Sequence, residues 1–274
     1  MNGTNDIATV WADYQVHKRN EAGNKPTAAD TLNRCSATGS CLRQRAFGAL
    51  EIPETHTIES GTLLAFDVGN TIHESLQEAV MWAYPDSEIE TPIDLSQLGP
   101  SLSGSCDGLI RRSGEPWAIL EIKTVSGYGA KIARESGVPK REHVAQAALY
   151  ALGTDVPNVL IVYVAKEGDF RSGTKPGDMF EWLIGMDDEA VDGWSPRMLA
   201  QQELDRFHTV EEAIEDGKLP DALAPDDDGE LVLIDAPGPY GKPAKGKYWG
   251  CRYCQWRDLC VEVGPTDVYL GDIR

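Results

Sequence analysis

The stretch "CDGLIRRSGEPWAILEIKT" (residues 106–124) decides the fold class of this chain. Two strand-like runs flank the turn sequence "SGEP", and the second run continues to residue 125 as "WAILEIKTV", which is almost wholly apolar. Such a pair of runs around Gly and Pro predicts a β-hairpin. Glu121 and Lys123 interrupt the apolar run, and their side chains share one face because alternate residues of a strand project the same way. Unpaired charge is costly to bury there, so the pair needs a reason.

Asp107 begins the hairpin, where it would approach the face that carries Glu121 and Lys123. Two carboxylates with a lysine suit Mg²⁺, which binds few carboxylates and keeps several waters. The ammonium could position or help deprotonate a metal-bound water, or offset charge on phosphorus. An acidic residue two before a lysine also arises by chance, as at Asp216 and Lys218, so a salt bridge at the rim of the sheet remains equally open.

Further helices and strands are predicted on both sides of the hairpin. Helical periodicity and apolar runs predict helices at 140–153 and 187–207, a helix after about Asn70 within 59–83, and strands at 101–112, 117–125, 158–167 and 179–186. Gly153 would end one helix, while Gly193 and Pro196 disturb the first turns of another. Strands flanked by helices predict an α/β core with a mixed sheet.

Three polar side chains on the predicted helices are further candidates. His73 lies in "GNTIHESL", and Gln146 and Tyr150 of "QAALY" share one helix face at i and i+4. Alone, each has a plain structural interpretation, a core-edge histidine or an ordinary amphipathic face.

Composition sets wider limits. The chain has 25 basic and 44 acidic residues, so its net charge is 25 − 44 = −19, which weakens a nucleic-acid function without excluding a basic groove. Locally basic segments lie at 41–48, 108–114, 136–143 and 241–258. We find no signal peptide and no apolar run of membrane-spanning length. The expected location is the cytoplasm with reduced thiols, where clustered cysteines indicate a metal before a disulfide.

The segment "GCRYCQWRDLC" (250–260) holds three cysteines with the spacing C-x2-C-x5-C. Three thiolates are incomplete for a metal that takes four, and Cys35 and Cys41 are the upstream candidates for the fourth. Cys106 is better explained as a small buried strand residue. Zinc sites usually pair two C-x2-C units, so the spacing favours an iron–sulfur cluster, although zinc stays open.

In this order, "GNTIHESL", "GSCDG", "LEIKT" and "QAALY" resemble the motifs of the RecB-type branch of the PD-(D/E)xK nuclease superfamily. With the C-terminal cysteines the chain is similar to the iron–sulfur members, which include CRISPR-associated RecB-like exonucleases and viral relatives. The resemblance covers roughly residues 40–261 as ordered motifs. It implies a restriction-endonuclease-like α/β core with a mixed central sheet flanked by helices, plus a small Fe–S lobe that joins the N- and C-terminal segments.

The resemblance also implies roles for individual residues. His73, Asp107 and Glu121 would bind Mg²⁺ or Mn²⁺ together with the backbone carbonyl of Ile122, and a nitrogen ligand suits Mn²⁺ well. Lys123 would act on the attacking water. Two further residues, Gln146 and Tyr150, would orient the DNA or support the residues around the metal.

The cluster would be 4Fe–4S, and its ligands would be Cys41, Cys251, Cys254 and Cys260. Cys41 is preferred over Cys35 because "SCLRQRAFGAL" keeps the family's arginine and aromatic residue, although a leucine replaces its proline. The implied organisation is an N-terminal segment (1–57), a nuclease core (58–216), a surface excursion (217–247) and a cysteine lobe (248–274).

These features together predict a metal-dependent DNA exonuclease that hydrolyses phosphodiester bonds at DNA ends or single strands, with a structural cluster. Two alternatives stay open: a DNA-end-binding partner of recombination or CRISPR-adaptation proteins with little free nuclease activity, and a zinc-stapled α/β protein without catalysis. A homo-oligomer is compatible with either.

Overall fold

The computed structural model describes residues 33–55, 60–222, 254–264 and 266–273, together with residues 10, 11, 13, 14 and 17. The strands are β1 (Asn33–Arg34), β2 (Glu88–Pro92), β3 (Leu102–Ser103), β4 (Ser105–Arg112), β5 (Glu115–Val125), β6 (Asn158–Ala165) and β7 (Met179–Gly185). The α-helices are α1 (Leu42–Ala49), α2 (Ser60–Ala83), α3 (Gly127–Ser136), α4 (Arg141–Thr154), α5 (Pro196–Glu215) and α6 (Arg257–Val263).

Five strands form the central sheet in the order β2-β4-β5-β6-β7. The predicted hairpin is β4 and β5, which pair antiparallel, whereas β5 and β6 pair parallel. The sheet is therefore mixed, as the sequence predicts, and β5 lies at its centre. The parallel pair needs a crossover connection, and this connection consists of α3 and α4.

Helices cover both faces of the sheet, which confirms the predicted α/β arrangement. On one face Ile72, Leu76 and Val80 of α2 pack against Leu120 and Ile122. On the other face α4 packs against Ile119 and the inward residues of β6, and α5 lies on α4. Because β5 alternates between these faces, Glu121 and Lys123 project towards α4 rather than α2.

Several helix bounds differ from the prediction for identifiable reasons. α2 begins at Ser60, about ten residues before the clear periodicity. α4 continues through Gly153 and ends at Thr154, with Asp155 in the left-handed conformation. α5 begins at Pro196, because Ser195 caps the helix by accepting a hydrogen bond from the backbone N–H of Met198; the residues before it are turns.

A second, smaller core joins the two ends of the chain. Phe47 of α1, Val210 of α5 and Leu259 of α6 are buried in it. The indole N–H of Trp256 donates to the Ile52 carbonyl oxygen at 2.7 Å, across 204 positions of sequence. Most of the predicted excursion (217–247) lies outside the described residues, which end at residue 222 and resume at residue 254. Among the described residues, no helix has both the length and the apolar character that a membrane span needs.

A buried ion pair fixes the N-terminal segment to α5. Arg45 and Glu203 are in contact, with side chains 1% and 7% exposed, and the Arg45 guanidinium stacks 4.5 Å from the Phe207 ring centroid. Glu203 also accepts the backbone N–H of Gly39 at 3.2 Å. These contacts place the segment that contains Cys41 against the helical layer.

Candidate active site

The candidate site forms where β4 and β5 separate. Their pairing reaches Gly108 and Leu120, so Asp107 and Glu121 are the next two facing residues. Asp107 Oδ2 accepts the backbone N–H of Ile122 at 2.6 Å. That bond holds one carboxylate against the backbone of the strand that carries the other.

Glu121 is an almost fully buried carboxylate, with 1% of the residue exposed. Oε1 is in ion-pair contact with the Lys123 ammonium, and no described residue donates a hydrogen bond to Oε2. Burial raises the pKa of Glu121 to about 7, against the lowering effect of Lys123. Burial also lowers the pKa of Lys123, but the Glu121 carboxylate outweighs it, and the net shift is upward.

Asp107 is held from the opposite side by α2. Nδ1 of His73 lies 3.7 Å from Asp107 Oδ1. One helical turn further on, the Gln77 side chain donates to the Asp107 carbonyl oxygen at 3.0 Å and to Glu90 Oε1 at 2.8 Å. Burial raises the pKa of the Asp107 carboxyl, and the Ile122 N–H and His73 act in the opposite direction. Gln77 therefore positions the strand that carries Asp107, a role that the sequence did not suggest.

The two predicted α4 residues lie at different depths. Gln146 Oε1 accepts a hydrogen bond from Lys123 Nζ at 3.3 Å, so Gln146 and Glu121 hold the ammonium from two sides. Tyr150 is only 1% exposed. Its hydroxyl lies so close to Gly104 that a Cβ there would be 2.5 Å away. Tyr150 thus supports the backbone just before the strand that carries Asp107.

His143 is a site neighbour that the sequence did not single out. It lies three residues before Gln146 on α4, and its Nδ1 is 2.6 Å from the hydroxyl of Tyr163. This hydroxyl also accepts the Lys140 backbone N–H at 2.9 Å, and the His143 tautomer sets which atom donates in its bond to Nδ1. Tyr163 is the β6 partner of Lys123 in register. The sequence signal that could have identified His143 is its i, i+3 spacing to Gln146, which places both residues on the same side of α4.

Replacing His143 by asparagine is expected to change the pH dependence of stability. Burial, with help from Lys123 and Lys140, lowers the pKa of His143 to about 3. Below about pH 6.5 the imidazole of the unfolded chain therefore binds a proton that the folded chain does not bind. The free energy of unfolding consequently decreases as the pH is lowered. Asparagine keeps an acceptor near Nδ1 and removes this titration.

The difference in unfolding free energy between wild type and His143→Asn should shrink by about 1.4 kcal/mol per pH unit from pH 6 to pH 4. Urea unfolding at several pH values measures it. The raised pKa values of Asp107 and Glu121 act in both proteins and cancel from the difference. Parallel curves for the two proteins would show that His143 titrates normally.

The upstream cysteines separate into two environments. Cys41 interacts electrostatically with Cys254 and Cys260: burial raises the pKa of both, that of Cys254 to about 11, and the Cys41 thiol contributes to each shift. Cys35 is buried in the main core instead, and burial followed by Glu121 raises its pKa to about 12. The predicted ligand Cys251 lies outside the described residues.

Arg43 connects the cysteine region to the rest of the chain. Its Nε donates to the Pro220 carbonyl oxygen at 2.7 Å, and its Nη1 is hydrogen-bonded to the Gly264 carbonyl oxygen. Burial has the largest effect on the pKa of the Cys260 thiol and raises it. The Arg43 guanidinium has the next largest effect and lowers this pKa. A buried cation beside this thiol favours a thiolate, the form that binds metal.

The donors fit the predicted cations in part. Among the described residues, no group of three or more His, Cys, Asp or Glu side chains is arranged to hold a metal ion. However, Glu121 has a buried carboxylate oxygen without a hydrogen-bond partner among the described residues, and its carboxylate interacts electrostatically with that of Asp107. Such an oxygen suits a hard cation, which would satisfy it. The ligand roles of His73, Asp107, Glu121 and the Ile122 carbonyl remain predictions.

No protein-family model matches this chain, and no curated protein matches it either. Among solved structures, the crystal structure of SSO0001 aligns with a TM-score of 0.49 at 14% identity, over 95% of this chain and 98% of that chain. The alkaline exonuclease LHK-Exo from Laribacter hongkongensis aligns with a TM-score of 0.46 at 15% identity, over 69% of this chain and 92% of that one. Its complex with dAMP gives 0.44 at 13%, over 76% and 97%. Similarity at this level leaves function to the residues of the site.

Proposed function

We propose that this chain is a metal-dependent exonuclease that hydrolyses phosphodiester bonds at DNA ends. The observation that carries the proposal is the buried Glu121 carboxylate, which pairs with Lys123 through Oε1, interacts electrostatically with Asp107 and has no described hydrogen-bond partner for Oε2. A carboxylate buried only to hold a salt bridge would be expected to have both oxygens satisfied. An unsatisfied oxygen beside a second carboxylate is what a cation-binding site requires.

Mg²⁺ or Mn²⁺ held by Asp107, Glu121, His73 and the Ile122 carbonyl would act as a Lewis acid on a phosphate oxygen and lower the pKa of a bound water. Lys123 supplies a fixed positive charge beside that position. Because Glu121 and Gln146 hold its ammonium from two sides, the charge is already oriented before substrate binds. Preoriented charge stabilises a developing oxyanion without reorganisation.

The proposal includes a 4Fe–4S cluster held by Cys41, Cys251, Cys254 and Cys260. It is supported by the electrostatic interaction of Cys41 with Cys254 and Cys260 and by the Arg43 guanidinium beside Cys260. Four thiolates are the usual complement of such a cluster. Its role would be structural, because it would fasten α1 to α6 around the nuclease core.

Nuclease assays with end-labelled DNA test the proposed activity. The anaerobically purified protein is incubated with linear single strands, linear duplexes and covalently closed circles, in Mg²⁺, in Mn²⁺ or in EDTA. We expect shortening of linear DNA with a divalent cation, none in EDTA, and intact circles because an exonuclease needs an end. Cleavage of the circles would show that the protein is an endonuclease rather than an exonuclease. Intact linear DNA under every condition would refute the nuclease and favour an end-binding module.

A further inference from the structure

Two aromatic rings are exposed to solvent where β5 ends. Phe170 is 101% exposed and Tyr128 is 60% exposed. Tyr128 lies in the first turn of α3, which begins two residues after Val125, the last residue of β5. Lys123 lies two residues before Val125, about 7 Å away along the strand. Tyr128 therefore lies on the segment that directly follows the strand carrying Glu121 and Lys123.

The two rings arise from backbone segments that touch. The first residue of α3, Gly127, lies so close to the 168–169 backbone that a Cβ there would be 2.8 Å from Asp169 Cβ and 2.9 Å from Asp169 N. The N–H of Lys166, where this loop begins, donates to the Val125 carbonyl oxygen at 2.9 Å. Tyr128 and Phe170 each follow one of the two residues in contact. The two rings therefore lie on adjoining segments, and we call this pair of exposed rings the aromatic ledge.

The loop presents Phe170 in an ordered turn. The Asp169 carboxylate accepts the backbone N–H groups of Arg171 and Ser172 at 3.2 and 3.1 Å, and Asp169 pairs with Thr174 in an antiparallel bridge. From α3, Arg134 donates to the Ser172 carbonyl oxygen at 3.1 Å. The turn thus fixes the backbone that carries Phe170, and it presents the ring to solvent.

Cations lie among these rings although the chain has a net charge of −19. The Lys131 ammonium lies 6.0 Å from the Tyr128 ring centroid, and Arg171 follows Phe170 directly in an exposed position. Exposed rings interleaved with cations beside a phosphodiester-cleaving centre match the chemistry of single-strand binding, in which bases stack on aromatic rings and phosphates meet positive charge.

From this arrangement we infer that the aromatic ledge of Tyr128 and Phe170 stacks unpaired bases of a DNA strand whose end occupies the site at Glu121 and Lys123. The inference rests on the proposed nuclease function and specifies its substrate as single-stranded next to the cleaved bond. Paired bases are stacked on each other and offer no free face to a protein ring, so a duplex would need to open before its strand crossed the ledge.

Fluorescence anisotropy with a labelled oligo(dT) strand and a matched duplex, both in EDTA to prevent cleavage, tests the inference. Tyr128→Ala and Phe170→Ala are each expected to weaken single-strand binding about tenfold, and duplex binding much less. Tyr128→Phe and Phe170→Tyr keep a ring and should restore affinity, which separates lost stacking from misfolding. Trp82→Ala is the matched control, because Trp82 is 87% exposed but distant from the end of β5. On α2 it is Gly69 that lies beside Thr124, where an added Cβ would be 3.2 Å from Thr124 Oγ1, and Trp82 follows Gly69 by thirteen residues, about 20 Å along the helix.

The salt dependence of DNA affinity distinguishes the contribution of the aromatic rings from that of the cations. Lys131→Ala should reduce the slope of log K against log salt by about 0.7, the value for one phosphate contact of a single strand, whereas Phe170→Ala should lower affinity without changing the slope. Equal single-strand affinity in wild type and both alanine variants would overturn the inference and leave the nuclease function intact. Equal losses on strand and duplex would also overturn it, because stacking on unpaired bases does not act on a duplex. A wild type that neither binds nor cleaves any DNA would refute both.

Discussion

Replacing Lys123 by alanine is expected to lower the kcat for DNA cleavage by about 10²–10³-fold, the usual effect of removing one preoriented charge from a reacting centre. Affinity for DNA should change by only a few-fold, because phosphate contacts elsewhere remain. Single-turnover cleavage of an end-labelled strand gives the rate constant, and anisotropy gives the affinity. The prediction follows from the contacts of Lys123 with Glu121 and Gln146.

Stability must be measured on the same variant, since Glu121 loses its ion-pair partner while 1% exposed. An uncompensated buried charge costs about 3–5 kcal/mol, although protonation of Glu121 would relieve part of it. Lys123→Gln keeps a hydrogen-bond donor for Glu121 and should fold better while remaining inactive. Lys218→Ala is the matched control, because Lys218 also follows an acidic residue by two positions but lies over the Tyr269 ring. Wild-type cleavage by Lys123→Ala would remove Lys123 from the mechanism.

Substitution of one cysteine is expected to remove the proposed iron–sulfur cluster and to lower the stability of the protein. In Cys41→Ala the iron content is expected to fall from about four atoms per chain to below about one, and Tm should fall by about 10 °C or more because cluster binding contributes to folding. Cys35→Ala should keep its iron. Cys35 and Cys41 are only six residues apart. Of the two, Cys41 interacts electrostatically with Cys254 and Cys260, whereas Cys35 lies in the main core.

Iron, acid-labile sulfide and zinc determinations on anaerobically purified protein, with the visible absorption spectrum, provide the measurement. Cys106→Ala is the matched control for loss of a buried thiol, since Cys106 and Cys35 are both 0% exposed. Loss of iron in Cys35→Ala but not in Cys41→Ala would reverse the ligand assignment. Stoichiometric zinc without sulfide in the wild type would replace the cluster by a zinc site.

Local pattern predicted much of the sheet. Turn residues between two apolar runs predict the β4–β5 hairpin, because hairpin formation depends on neighbours in sequence. The predicted end of the first strand at residue 112 and the end of the second at residue 125 are confirmed, whereas the predicted strand 101–112 is divided into β3 and β4 at Gly104. The charged pair in that apolar strand identified Glu121 and Lys123, since alternation places both on one face. The i, i+4 spacing alone fits an ordinary amphipathic face, and only the order of the motifs indicated Gln146, which the structure places within hydrogen-bond distance of Lys123.

Other features were not predictable from pattern. α3 is short and rich in glycine, and its first residue is glycine because the 168–169 backbone leaves no room for a Cβ. Gln77 resembles any polar residue of an amphipathic helix until its donation to the Asp107 carbonyl oxygen is known. The aromatic ledge depends on two segments about forty residues apart in sequence. Contacts of this kind depend on the tertiary packing of segments that are distant in sequence.

Periodicity and local turn chemistry were sufficient to predict the mixed α/β class and the strands and helix that carry Asp107, Glu121, Lys123 and Gln146. Only the folded chain shows that β4 and β5 separate between Asp107 and Glu121, that one oxygen of Glu121 has no described partner, and that Cys41 rather than Cys35 interacts electrostatically with Cys254 and Cys260. These are properties of packing between distant segments. Burial and electrostatic interaction depend on distance in space, which spacing along the chain does not specify.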